Sequence, residues 1–264
     1  MQAGSDNGNA PAADGAVHVA FVLDKSGSMQ VVEEAVVEGY NEYLRELREQ
    51  GGETLFSLTT FDTTFNHVCV GEPLESVALL DHRGYRPDGC TALYDAIGHT
   101  VLRTDQRLQA DRRGEEKVLV VVMTDGLENS STDYDAHAIA ELVRAYEERP
   151  NWTFVYLGAG HDTIQAAQST ASLMSFKTGN AMLWSADEAS TRKSMRSLAS
   201  ATQARRRATT LKSERFFADA GQSQADYQAG EPKRPASPRR PPPTQIHRRR
   251  LGDVLHSSDR QKKA

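Results

Sequence analysis

The chain has 264 residues, 38% of them hydrophobic, which suffices for one medium α/β domain if the apolar residues are concentrated. Its formal net charge of -5 averages two unlike parts: residues 1–204 carry 16 Lys+Arg against 30 Asp+Glu, and residues 205–264 carry 15 against 6. Two cysteines exclude a disulfide framework, no apolar run reaches the ~20 residues of a membrane helix, and residues 1–15 lack the basic and apolar regions of a signal peptide, so a cytoplasmic protein is expected.

Residues 1–15 are mostly Gly, Ala, Asn and Asp with one Pro, a composition expected to give a disordered leader. Residues 17–23 (VHVAFVL) form a short, β-branched, almost wholly apolar run, the pattern of a central strand covered on both faces. From 29 to 49 the apolar residues Val32, Val36, Tyr40, Tyr43, Leu44 and Leu47 recur at helical spacing until Gly51 and Gly52 stop them. Residues 54–61 and 65–70 read as two strands joined by Asp62, Thr63 and Thr64, an antiparallel edge pair. A polar loop at 81–90 precedes a helix at 92–108, and residues 117–123 (KVLVVVM) give the strongest buried-strand signal in the chain.

Helical spacing returns at Ile139, Leu142, Val143 and Tyr146, followed by a strand at 152–157. A short helix near 163–169 with Asp162 as its cap, a strand near 172–177 and a polar helix at 186–205 complete the order. Strands alternating with helices predict a doubly wound, mostly parallel α/β sheet with one antiparallel edge strand and helices on both faces. The domain is expected at 16–205. Residues 206–264 are expected to be a disordered Arg/Pro-rich tail, and the basic stretch 205–264 offers non-specific contact with nucleic acid phosphates as one use.

Ligands of an open α/β sheet bind outside the carboxyl ends of its strands. Three polar clusters map to that rim, which is expected to be exposed: Asp24-Lys25-Ser26-Gly27-Ser28, Gly89-Cys90-Thr91 and Thr124-Asp125-Gly126. They are rich in oxygen and contain no His, so they suit a hard cation such as Mg²⁺ and suit zinc poorly. Asp24, Ser26 and Ser28 alternate and can point to one side of an extended loop. Two simpler readings stand beside this one: Asp24 and Ser26 cap the following helix, and Asp125-Gly126 is a turn. Cys90 reads as a small space-filling residue, and His67, His82, His99 and His137 show no metal-ligand spacing.

D-K-S-G-S-M after an apolar strand, Thr91 in G-C-T-A-L and Asp125 in M-T-D-G together resemble the metal-ion-dependent adhesion site of von Willebrand factor A (vWA) domains. The resemblance spans residues 17–205. It implies Ser26, Ser28 and Thr91 as hydroxyl ligands, Asp24 and Asp125 as direct or water-mediated ligands, and Mg²⁺ or Mn²⁺ as the ion. It also implies a protein partner whose Glu or Asp completes the coordination sphere, and therefore a binding module that is not an enzyme. The enzymatic rival is a Mg²⁺ phosphohydrolase with Asp24 as nucleophile, but enzymes of that kind carry a second Asp where this chain has Ser26. Phosphate-binding and nucleophile-elbow glycine motifs do not occur in the sequence.

Overall fold

The computed structural model describes residues 16–159, 164–184 and 187–222. The expected leader at 1–15, the expected helix cap at Asp162 and the tail from 223 onward lie outside those residues. Six strands form one sheet: β1 (Val17–Asp24), β2 (Thr54–Phe61), β3 (Phe65–Pro73), β4 (Lys117–Thr124), β5 (Trp152–Gly158) and β6 (Ala181–Leu183). The spatial order is β3-β2-β1-β4-β5-β6, and every pairing is parallel except β2 with β3. Every residue of β1, β2, β4 and β5 is buried, the reason their sequences run apolar instead of alternating.

Helices cover both faces. Val19, Phe21 and Leu23 point to the side of α1 (Glu33–Glu49), α5 (Glu188–Arg207) and the short α6 (Phe216–Asp219). Ala20 and Val22 point to the side of α2 (Leu93–Ala110), α3 (Ala136–Glu147) and α4 (Ile164–Leu173). Among the described residues no helix is long and apolar enough to cross a membrane.

Three expectations are corrected. The helix expected at 29–49 is split, because Met29 N–H bonds to Ser26 O at 3.0 Å and starts a 3-10 turn, Gly27–Val32, before α1 begins at Glu33. The strand expected at 172–177 does not form. There α4 ends in a left-handed cap, with Ser175 at φ +64° and Phe176 N–H returning to Ala171 O at 3.0 Å, which drives Met174 and Phe176 into the core. The sixth strand follows at Ala181–Leu183 instead.

The third correction moves the domain boundary. The packed chain continues past Arg205 to residue 222, with Phe216 and Phe217 in the core and Phe216 N–H held by Asn180 Oδ1 at 2.8 Å. Arg205 and Arg206 are buried at the end of α5, where their backbone carbonyls receive Lys117 Nζ at 3.3 and 2.8 Å. They are therefore not cations of a tail. α5 looks polar in sequence because its buried residues are mostly small or polar, Thr191, Ser194, Ala199, Ala201 and Thr202, with Met195 and Leu198 among them. Its outer face pairs with α1 through Arg192–Glu38 at 2.5 Å and Arg196–Glu42 at 2.8 Å.

Candidate functional site

Strand order reverses between β1, which runs on to β2, and β4, which lies on the other side. The crevice at this switch point opens between the carboxyl ends of β1 and β4, and the register that pairs Leu23 with Met123 sets Asp24 beside Thr124. Thr124 Oγ1 donates to Asp24 Oδ2 at 2.5 Å, and Ser26 N–H donates to Asp24 Oδ1 at 2.7 Å. Tyr85 O–H holds the Asp24 backbone carbonyl at 2.7 Å. Asp24 is fully buried, and burial pushes its carboxyl up from 3.8 to about 6 against the hydrogen bonds from Thr124 and Ser26.

The first loop turns outward after Asp24. Ser26 stands at the start of the 3-10 turn, but its hydroxyl makes no cap bond. It lies 3.2 Å from Ser28 Oγ, and Ser28 Oγ donates to Asp125 Oδ1 at 2.6 Å. That bond joins the first loop to the third. The capping interpretation therefore holds only for the Asp24 carboxylate on Ser26 N–H, while the two hydroxyls lie against each other and against Asp125. Burial also raises the Asp125 carboxyl, and the Ser28 hydrogen bond opposes the shift.

Thr91 comes to the same spot. A Cβ placed on Gly126 would meet Thr91 Oγ1 at 3.2 Å and Asp24 Oδ2 at 3.8 Å, so the hydroxyl and the carboxylate flank one small volume. The rim is less exposed than expected: Asp24, Ser26 and Thr91 are buried, whereas Ser28 is exposed. Gly27 N–H bonds to Gly89 O at 3.1 Å and Asp88 N–H to Lys25 O at 2.8 Å, tying the first loop to the second. Asp24 at the end of β1 and Ser26, Ser28, Thr91 and Asp125 on the three loops are thus gathered by loops that are bonded to one another.

Lys25, the nearest cation in sequence, is turned away and pairs with Asp62. Among the described residues no Lys, Arg or His pairs with Asp24. The donor set is two carboxylates and three hydroxyls, and among the described residues no cluster of three His, Cys, Asp or Glu side chains offers a competing metal site. A hard divalent cation fits these groups, since a buried carboxylate without a counter-charge is otherwise costly.

Sequence reasoning passed over Thr124, Tyr85, Glu128 and Asn129. Thr124 stood in the quoted cluster, but its role depends on strand register. Asn129 takes Thr91 N–H on Oδ1 at 2.8 Å, and Glu128 takes Tyr94 N–H at 3.0 Å, contacts across more than thirty residues that no local pattern announces.

No protein-family model matches the chain, and no curated protein is significantly similar to it. Solved structures do match. The pilus adhesin SpaC from Lactobacillus rhamnosus GG, in its open conformation, is similar over 73% of this chain and 30% of that one, at 14% identity and a TM-score of 0.54. Proximal thread matrix protein 1 from the mussel byssus is similar over 70% of this chain and 45% of that one, at 16% identity and a TM-score of 0.49. The vWF domain of the type V pili tip protein Mfa5 from Porphyromonas gingivalis is similar over 71% and 96%, at 10% identity and a TM-score of 0.49. This chain spans less than half the length of the first two. With its mostly parallel six-stranded sheet, single antiparallel edge pair and two helical layers, the chain has a vWA-like α/β fold.

Proposed function

We propose that the chain is a divalent-cation-dependent protein-binding module that captures a Glu or Asp of its partner. The observation that carries this reading is the buried, uncompensated Asp24 at the switch point, ringed by three hydroxyls and Asp125 on mutually bonded loops. When bound, Mg²⁺ or Mn²⁺ supplies a coordination position that favours an anionic oxygen, because three of the five protein groups carry no charge.

The chain's own residues divide the work. Asp24 and Ser26 form the buried back of the site, Thr91 closes its side, and the exposed Ser28 with the half-buried Asp125 forms the outward lip that a partner would approach. A pilus adhesin with the same fold is in keeping with a binding role. The hydrolytic alternative needs an accessible nucleophile, yet both Asp24 oxygens accept hydrogen bonds inside the protein.

The test is calorimetric titration with MgCl₂ and MnCl₂, followed by binding of fluorescent peptides that differ only in Asp or Glu against Asn or Gln. Acidic peptides should bind only with cation present, and Thr91→Ala should weaken capture at least about tenfold, or 1.4 kcal/mol. Capture that survives EDTA, or that is unchanged in Thr91→Ala, overturns the reading.

A further inference from the structure

We propose that Asn129 and Glu128 are positioning residues, Asn129 fastening Thr91 and Glu128 fastening the start of α2 to the loop carrying Asp125. The functional consequence rests on the metal-dependent reading above, whereas the fastening itself stands on geometry. Residues 125–135 leave β4 and pass over the N-terminal end of α2. A helix begins with backbone N–H groups that have no partner within the helix. Ala92, the cap residue of α2, has no side chain able to satisfy them.

The loop supplies what Ala92 lacks. Thr91 N–H bonds to Asn129 Oδ1 at 2.8 Å, Tyr94 N–H to Glu128 Oε2 at 3.0 Å, and Asp95 N–H to Ser131 Oγ at 3.1 Å. The helix answers in kind. Asn129 N–H bonds to Thr91 O at 3.1 Å, so Asn129 clamps both backbone groups of Thr91. The Asp95 carboxylate accepts Thr132, Asp133 and Tyr134 N–H at 2.8, 3.0 and 2.9 Å.

Glu128 lies close enough in sequence to Asp125 to be mistaken for a ligand. Its carboxylate is already committed: Oε1 accepts Ser130 N–H at 2.8 Å and Ser131 N–H at 2.6 Å, and Oε2 accepts Ser131 Oγ at 2.7 Å besides Tyr94 N–H. Its charge also stands at the positive end of α2. None of these bonds reaches Asp24, Ser26, Ser28 or Asp125; Asn129 acts on the site through Thr91, and Glu128 through the first turn of α2 at Tyr94. Together they bind two of the three loops into one rigid body, which sets how far the Thr91 hydroxyl stands from Gly126 and Asp24.

The experiment uses the full chain as wild type, Asn129→Ala, Asn129→Asp, Thr91→Ala and the Asn129→Ala/Thr91→Ala double variant. Amide exchange at residue 91 by NMR without metal reads the clamp, and Mn²⁺ affinity by calorimetry reads its consequence. In Asn129→Ala, exchange at Thr91 should quicken at least about tenfold while β1 and β4 amides keep their protection. Mn²⁺ affinity should fall roughly 10- to 100-fold, the usual effect of removing a group that orients a ligand. Asn129→Asp keeps the oxygen acceptor and should restore both readouts. In the Thr91→Ala background, Asn129→Ala should cost no further affinity, because the two changes act through one group. Unchanged Thr91 exchange in Asn129→Ala, or a second full loss in the double variant, overturns the proposal. If the wild type takes up no Mn²⁺, the metal-dependent reading fails while the exchange measurement still judges the clamp.

Discussion

The two ends of the sheet treat buried charge differently. At the amino end Lys117, Glu116 and Asp105, all buried, are each answered from within the chain. Lys117 Nζ is surrounded by the carbonyls of Arg205, Arg206 and Ala208, and Arg113 bridges Glu53 and Glu116 at 2.7 and 3.2 Å. Asp105 receives Arg149 at 2.7 Å, Tyr146 O–H at 2.8 Å and Gln109 at 2.9 Å. At the carboxyl end, Asp24 receives hydrogen bonds but no cation, and Lys25 is paired with Asp62 instead. Ion pairs that close on themselves hold a fold together, whereas a buried anion left open costs stability and selects for something brought from outside. Under the proposed function, the contrast makes the carboxyl end the working end and the amino end the structural one.

The sharpest way to break the comparison is to remove the open charge. Asp24→Asn keeps an oxygen acceptor for Ser26 N–H and nearly the same volume, so the fold should survive. Saturating Mn²⁺ should raise the melting temperature of the wild type by mass action and leave Asp24→Asn unmoved, with affinity down at least about 100-fold, or ~2.7 kcal/mol. Equal metal stabilisation in the two proteins, read by calorimetric melting, would show that the open charge is not what the ion needs.

A second measurement probes the amino end. His18 lies fully buried in β1 with Nε2 2.8 Å from Ser57 Oγ, and burial, followed by the charges of Arg107 and Arg113, lowers its pKa from 6.5 to about 3. The unfolded chain therefore takes up a proton between pH 6.5 and about 3 that the folded chain refuses. The resulting stability is fully present above pH 6.5 and is lost as pH falls towards 3, at about 1.4 kcal/mol per unit. Chemical denaturation at pH 7 and pH 5 should show roughly 2 kcal/mol more loss for the wild type than for His18→Gln. Parallel pH profiles for the two proteins would mean that His18 is not kept neutral.

How much of this was legible in the sequence follows from the range of the interactions. β1 and β4 announced themselves because burial on both faces writes an unbroken apolar run, and the polar residues that end those runs mark where a parallel sheet opens. Asp24, Ser26 and Ser28 share one local string, so their gathering on a single loop could be read directly. Thr124 and Asn129 could not be read so, because one depends on a strand pairing and the other on a loop folding back over a helix end. The turn at Ser175 was hidden for a similar reason: Met174 and Phe176 mimic strand alternation while serving a helix cap. Phe216 and Phe217 were lost among basic and polar neighbours, although two adjacent aromatics after Arg215 were the one local sign that the core had not ended.

The finest test concerns the space between the loops. Gly126 has no left-handed backbone requirement, so Ala at this position costs little in conformation and the outcome depends on contact alone. The new methyl would stand 3.2 Å from Thr91 Oγ1 and 3.6 Å from Thr91 Cγ2, close enough that Thr91 must yield by a few tenths of an ångström. Thr91 is clamped by Asn129 and yields poorly, so the strain falls on the hydroxyl's aim and hardly on the core. Gly126→Ala should therefore keep its folding stability within about 1 kcal/mol of wild type, the low end of overpacking costs. Mn²⁺ affinity should drop by a factor of about three to ten, up to ~1.4 kcal/mol and less than Asp24→Asn loses. Calorimetry at matched salt separates the two quantities. A loss of stability without loss of affinity would place Thr91 in the packing of the loops and outside the site, whereas the reverse pattern locates its hydroxyl beside Asp24 on the face proposed for the cation.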